Sequence, residues 1–123
     1  MNPISAREYP LALGAVDGRE VLPNIPNTDS ISASLTNYEV LKGIREVPLI
    51  DIIQNPRTYF YAVDDLRRSE VLAERIKNSN QIAPIIVVMD SEGPYVLEGS
   101  HRVVALFKLK ARSVPALVVI DKD

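Results

Sequence analysis

Five consecutive residues, Glu98-Gly-Ser-His-Arg102, bring together at one place the groups of this sequence that could do chemistry. Gly99 lacks a Cβ, so the chain can turn there with positive φ and a ligand can come close to the backbone. Ser100 is a preferred N-cap. A helix opening at it aims its first free N–H groups at one spot, with the positive end of the helix dipole behind them. Arg102 adds a permanent charge with a forked donor geometry, and His101 adds a titratable donor. This set suits a phosphate or another oxyanion. Gly-Ser before a helix is also ordinary capping chemistry, and an arginine in a first turn is also an ordinary solvated residue. At this stage both readings stand.

The flanking residues supply the elements that would position these groups. Tyr95 to Leu97 predicts a short strand, Glu98-Gly99 a turn, and Ser100 to about Leu109 a helix. Upstream, the unbroken β-branched run Ile85 to Met89 predicts a buried strand, and Asp90-Ser-Glu-Gly-Pro94 a turn that folds Tyr95–Leu97 back as a hairpin. Val114 to Ile120 predicts another buried strand, with Pro115 near its start, where a missing N–H is tolerable.

A further helix is expected from Asp64, Asp65 or Ser69 to the stop Lys77-Asn-Ser-Asn80, its apolar positions Leu66, Val71, Leu72 and Ile76 only loosely striped. Ile44 to Leu49 alternates and predicts a strand ending near Pro48, with Leu49 to Ile53 continuing apolar. Thr36 or Asn37 is read as capping one helical turn through Tyr38-Glu-Val-Leu41, closed by Gly43. Asn55-Pro-Arg57 is a turn signal, and Thr58-Tyr-Phe-Tyr61 an aromatic group expected on the core.

Before all of this, Pro3, Pro10, Gly14, Gly18, Pro23 and Pro26 cut the chain into short pieces. That predicts an extended arm with short strands around Leu11–Val16 and Glu20–Leu22. The expected organisation is an arm, residues 1–43, that packs on the domain or mediates association, and a domain, residues 44–123. The fold class is α+β, a small mixed sheet packed with helices.

Composition narrows the function classes. With 123 residues the chain is one domain in size, and 46% hydrophobic with 24% charged residues is ordinary for a globular protein. It has no cysteine, which removes thiolate metal sites and cysteine nucleophiles, and one histidine, which removes a multi-histidine metal site. Carboxylates could still hold a hard cation such as Mg²⁺. A net charge of −2 gives no global attraction for nucleic acid, although Arg102, Lys108, Lys110 and Arg112 lie close in sequence with no acid among them. Ile82 to Met89, the longest apolar run, is too short to span a bilayer, and the first residues carry no signal-peptide pattern. A cytoplasmic protein is expected.

The helix start Gly99-Ser-His-Arg102-Val-Val-Ala105 resembles the Gly-x-x-Arg-x-x-Ala phosphate-binding motif of the ParB/sulfiredoxin-like superfamily. Val47-Pro-Leu-Ile-Asp-Ile, Asn55-Pro-Arg57 and Ile82-Ala-Pro-Ile-Ile-Val-Val88 are similar, in the same order, to the segment before that motif in ParB N-terminal domains. The likeness covers residues 44 to 120. Ser100 stands where sulfiredoxins have their essential cysteine, so sulfinic-acid reduction is not expected. Nor, from the sequence as it stands, are the operator binding and CTP-driven clamp of chromosome-partitioning ParB proteins.

The free-serine kinases of the superfamily carry an acid before the glycine, as Glu98 does here. By that resemblance Glu98 is a general base or metal-side carboxylate, Gly99, Ser100, His101 and Arg102 hold the phosphates, and Arg57 is a second cationic contact. The resemblance thus implies a nucleotide as partner, ATP or ADP with Mg²⁺, and hydrolysis or transfer of a phosphate. Glu98 pairing with Arg102, and Arg57 closing its turn, are the plainer alternatives. Two other functions remain: a non-catalytic regulatory module binding a protein partner or a second copy through its arm, and a DNA-binding or nuclease protein, to which the short basic cluster gives the only support. No membrane partner is expected.

Overall fold

The structure is a computed structural model and describes residues 3–26, 37–56 and 63–121. After a 3₁₀ turn at Pro3–Glu8, the strands are β1 (Ala15–Val16), β2 (Arg19–Val21), β3 (Tyr38–Pro48), β4 (Gln81–Ile82), β5 (Ile85–Asp90), β6 (Gly93–Glu98) and β7 (Ser113–Asp121). The helices are α1 (Leu49–Ile53), α2 (Val63–Ser79) and α3 (Ser100–Lys108). The strands form two mixed sheets, β3-β7-β5-β6 and β1-β2-β4, so the α+β expectation holds.

The larger sheet is organised by β5 and β7, which pair in parallel from Ile85↔Ala116 to Met89↔Ile120. Pro115 stands one residue before that pairing begins, so its missing N–H takes nothing from it. On one face Ile85, Val87, Met89, Val114, Ala116 and Val118 join Val103, Ala105 and Leu106 of α3, Ala73 and Ile76 of α2, and Leu49 and Ile52 of α1 in the main core. On the other face Ile86, Val88 and Val119 are buried beneath Ile25, Tyr38, Tyr95, Leu97 and Leu117. Covering both faces is why β5 reads as a continuous apolar run rather than an alternating one.

The residues before β3 supply part of that cover. Ala6 and Val16 are buried. The β1–β2 hairpin lies beside β4, with Glu20↔Gln81 and Val21↔Ile82 in parallel register. Ala12 N–H donates to Ile44 O and Glu46 N–H to Pro10 O, both at 2.8 Å, which pairs this stretch with the outer edge of β3. An unpaired strand edge invites association, and this edge is partly closed from within the chain.

Two local expectations are corrected. Tyr38–Leu41 is strand rather than a helical turn: Tyr38↔Asp121, Glu39↔Ile120 and Val40↔Val119 pair antiparallel with β7. Gly43 is not a stop but the bend of a bulge, where the register shifts between Val40 and Ile44. Its φ of +81° suits glycine, and a Cβ there would stand 2.8 Å from Leu11 Cδ2.

The apolar stretch Leu49–Ile53 that follows the strand is a helical turn. Pro48, with φ −58°, is its N-cap, and the buried pair Leu49 and Ile52 is spaced by three, as on one helical face. The helix expected from Asp64, Asp65 or Ser69 begins ahead of all three, at Val63. Thr36 and the aromatic group Thr58–Tyr61 lie outside the described residues.

Candidate functional site

The hairpin β5–β6 delivers the site. Its turn is held by Glu92 N–H donating to Asp90 Oδ1 at 2.9 Å. Along β6 the register slips by a bulge, from Val87↔Val96 to Ile86↔Glu98, which re-aims the end of the strand. The buried Asn55 side chain donates from Nδ2 to Pro94 O at 2.9 Å, so the turn after α1 is tied to the start of the same strand. Arg57, two residues further on, lies outside the described residues.

Gly99, not Ser100, occupies the N-cap position of α3. Its φ is +111°, and a Cβ on it would collide with Ile85 and come within 2.8 Å of Arg102 Nη2. Glycine is required twice here, for the backbone angle and for the space. A side-chain cap of the kind expected from Ser100 is therefore replaced by a backbone turn that only glycine makes cheaply. Val103 N–H closes the first helical bond to Gly99 O at 3.1 Å. The N–H groups of Ser100, His101 and Arg102 precede it and have no partner within the helix.

Arg102 is 9% exposed, and its Nε and Nη2 have no hydrogen-bond partner among the described residues. Burial holds the guanidinium below its ordinary value, and the charge of Glu98 draws it back up. A buried unsatisfied charged group is costly, and such groups concentrate where a ligand completes the bonding.

Arg102, Glu98, Gly99 and His101 line one side of an open cleft of about 640 Å³, and Arg67, Arg68, Val71, Leu72 and Arg75 of α2 line the other. The sequence reading thus located one wall and missed the second. Its signal was present: positions 67, 68, 71, 72 and 75 recur at the three- and four-residue spacing of one helical face, and three of the five are arginines. The apparent basic run from Arg102 to Arg112 is divided. Lys108, Lys110 and Arg112 lie at the far end of α3 around a different, apolar hollow with Leu49, Ile50, Ile53 and Phe107, and Lys108 Nζ pairs with Glu70 Oε1 at 3.1 Å.

The arrangement can bind anions. Among the described residues Glu98 is the one carboxylate lining the cleft, and no three His, Cys, Asp or Glu residues are grouped to hold a metal. Mg²⁺ is usually held through one or two carboxylates together with substrate phosphates and water, so a metal at Glu98 would take most of its oxygens from a bound ligand. No helix among the described residues is long and apolar enough to cross a membrane.

The profile of the ParB N-terminal domain matches residues 33–123. No curated protein matches the chain. Among solved structures, a conserved hypothetical protein from Pyrococcus furiosus is similar at 19% identity and a TM-score of 0.53, over 65% of this chain and 33% of that one. Sulfiredoxin from Arabidopsis thaliana aligns at 25% identity and a TM-score of 0.46, over 61% of this chain and 82% of its own. The C-terminally truncated chromosome-partitioning protein ParB from Caulobacter crescentus, complexed with CTP-γ-S, aligns at 24% identity and a TM-score of 0.46, over 62% and 43%. The chain therefore spans about a third of the Pyrococcus chain and less than half of the Caulobacter one.

Proposed function

Because the chain belongs to the ParB N-terminal domain family, we propose that it binds a nucleotide by its phosphates at the start of α3 and hydrolyses or transfers a phosphate from it. The observation that carries this proposal is Arg102, a buried guanidinium with two donor nitrogens unpartnered among the described residues, in the first turn of α3. A phosphate supplies the acceptors and the negative charge that both lack. ATP or ADP is the proposed ligand.

Phosphoryl transfer asks little covalent chemistry of a protein and much positioning. Arg102 and the N–H groups of Ser100, His101 and Arg102 hold a phosphate against Gly99, whose missing side chain leaves room for it. His101, which lines the same cleft, donates a hydrogen bond to the phosphate or to the departing oxygen. Glu98 accepts the proton of the attacking hydroxyl. Val71 and Leu72 give the opposite wall an apolar strip against which a base or sugar can lie.

Phosphate release from ATP and ADP, measured beside calorimetric binding of ATP, ADP and CTP, tests the proposal. Binding and release that fall together in Arg102→Ala support it, with Glu98→Gln losing release but not binding. Binding without release moves the protein to the non-catalytic reading. No binding by the folded protein contradicts both the nucleotide and the reaction.

A further inference from the structure

We infer that the apolar hollow between α1 and the far end of α3 is a docking site for an acidic peptide segment of a partner protein, one that carries bulky apolar side chains. The hollow has a volume of about 720 Å³ and shares no lining residue with the cleft at the α3 start. It is a second surface, independent of the nucleotide proposal.

Its apolar lining is open. Ile50 of α1 is 55% exposed and Phe107 of α3 61%, and both line the hollow together with Ile53. Single exposed apolar residues are ordinary, but two large ones from different helices that converge on one concavity mark a surface for a partner. The hollow is also fixed in shape. Leu49 N–H donates to Arg112 O at 2.9 Å, which ties the start of α1 to the loop after α3. Ala111 N–H donates to Leu106 O, also at 2.9 Å, and holds that loop against the helix. From the other side, Asp17 Oδ2 accepts Arg112 N–H at 2.9 Å. A partner meets walls already in place, so little ordering opposes its binding.

Charge selects the occupant. Lys108, Lys110 and Arg112 line the hollow, and among the described residues no carboxylate does. Lys108 Nζ is taken by Glu70 Oε1. The bond from Arg112 to Asp17 is made by the backbone, and the side chains of Lys110 and Arg112 have no hydrogen bond or ion pair among the described residues. A cation is favoured at a helix C-terminus, which accounts for a lysine there but not for an exposed phenylalanine beside it.

Apolar floor and cationic rim together fit a segment whose large apolar side chains enter the hollow while flanking Asp or Glu residues meet Lys110 and Arg112. An anionic membrane offers the same chemistry on a flat surface. A concavity is filled by side chains.

The test is selection of a random peptide library, displayed on phage, against the full chain, followed by anisotropy titration of the enriched peptides at low and high salt. Ile50→Ser/Phe107→Ser removes the apolar lining and Lys110→Gln/Arg112→Gln the rim charge. All four positions are exposed, and circular dichroism confirms the fold of each variant. The expected result is peptides that place Asp or Glu beside Leu, Ile, Phe or Trp and bind more weakly at high salt. Affinity falls about tenfold or more in Ile50→Ser/Phe107→Ser, as for a lost aromatic anchor. It falls less in Lys110→Gln/Arg112→Gln, with a flatter salt dependence.

No enrichment by the folded chain, enriched peptides without acidic residues, or affinity unchanged in Ile50→Ser/Phe107→Ser overturns the inference. Three further outcomes overturn it in favour of another occupant. A parent dimer in sedimentation that Ile50→Ser/Phe107→Ser makes monomeric assigns the hollow to a second copy of the chain. Flotation with phosphatidylserine vesicles, lost in the same variant and without peptide binding, assigns it to a membrane. Peptide binding that appears only in Tyr59→Ser/Phe60→Ser/Tyr61→Ser assigns it to the chain's own aromatic group.

Discussion

Nη2 of Arg102 lies 2.8 Å from the point that a Cβ on Gly99 would occupy. The guanidinium is thus folded back over the turn that begins its own helix. The glycine clears the space, and the arginine fills it without finding an acceptor among the described residues. An alanine at position 99 would meet both Arg102 and Ile85 and would be strained at φ +111°. Gly99→Ala is expected to cost at least about 2 kcal/mol and to displace Arg102. Urea unfolding measures the first effect, and loss of nucleotide binding under conditions where the variant is folded measures the second.

Asn55 is the clamp between the turn after α1 and the site hairpin. Removing its side chain leaves the Pro94 carbonyl without the 2.9 Å bond from Nδ2, at a cost of about 1–3 kcal/mol for a buried acceptor. Asn55→Ala is therefore expected to lower the unfolding midpoint. A midpoint equal to that of the parent protein would show that the clamp contributes nothing.

The end of α3 carries a residue that the backbone does not favour. Lys110 has φ +58°, and its N–H donates to Phe107 O while Ala111 N–H donates to Leu106 O, at 3.0 and 2.9 Å. This is the left-handed cap usually made by glycine. Lys110→Gly is expected to stabilise the protein by about 0.5–1 kcal/mol, the left-handed strain removed less the freedom gained by the unfolded chain. Thermal and denaturant unfolding check the sign.

Tyr9 gives the protein an alkaline limit. Burial, with the nearby charge of Asp51, pushes its phenol up to about 12. In the unfolded chain the phenol ionises near its ordinary value of about 10. Between the two the unfolded state binds fewer protons than the folded state, so stability present below pH about 10 is lost as pH rises toward about 12. Unfolding free energy measured over that range should fall less steeply in Tyr9→Phe than in the parent, and equal slopes would contradict the assignment.

Much of this architecture could be read from the residues. The β-branched run at Ile85–Met89 and the apolar run at Val114–Ile120 are strands because both of their faces are covered. Gly99 was legible as the turn before α3, whereas the residue types left Arg102 open between a solvated and an inward-facing position, and only packing against the sheet buries it. Leu49–Ile53 was not legible, since four apolar residues around Asp51 fit a buried strand or a helical turn equally, and Pro48 decides for the turn. Arg67, Arg68 and Arg75 were passed over because charges on a helix look solvated until a second element stands opposite them. Lys108, Lys110 and Arg112 misled for the converse reason: six residues of helix carry position 108 about 9 Å from position 102.

The central claim is that Arg102 is buried for a ligand and not for the fold. Arg102→Met keeps the bulk of the side chain and removes the charge, so its unfolding free energy and its affinity for ATP, measured on the same preparation, decide the matter. The account predicts a protein as stable as the parent, or more stable by on the order of 1 kcal/mol, that no longer binds ATP. A variant that loses stability while binding ATP as the parent does would contradict it.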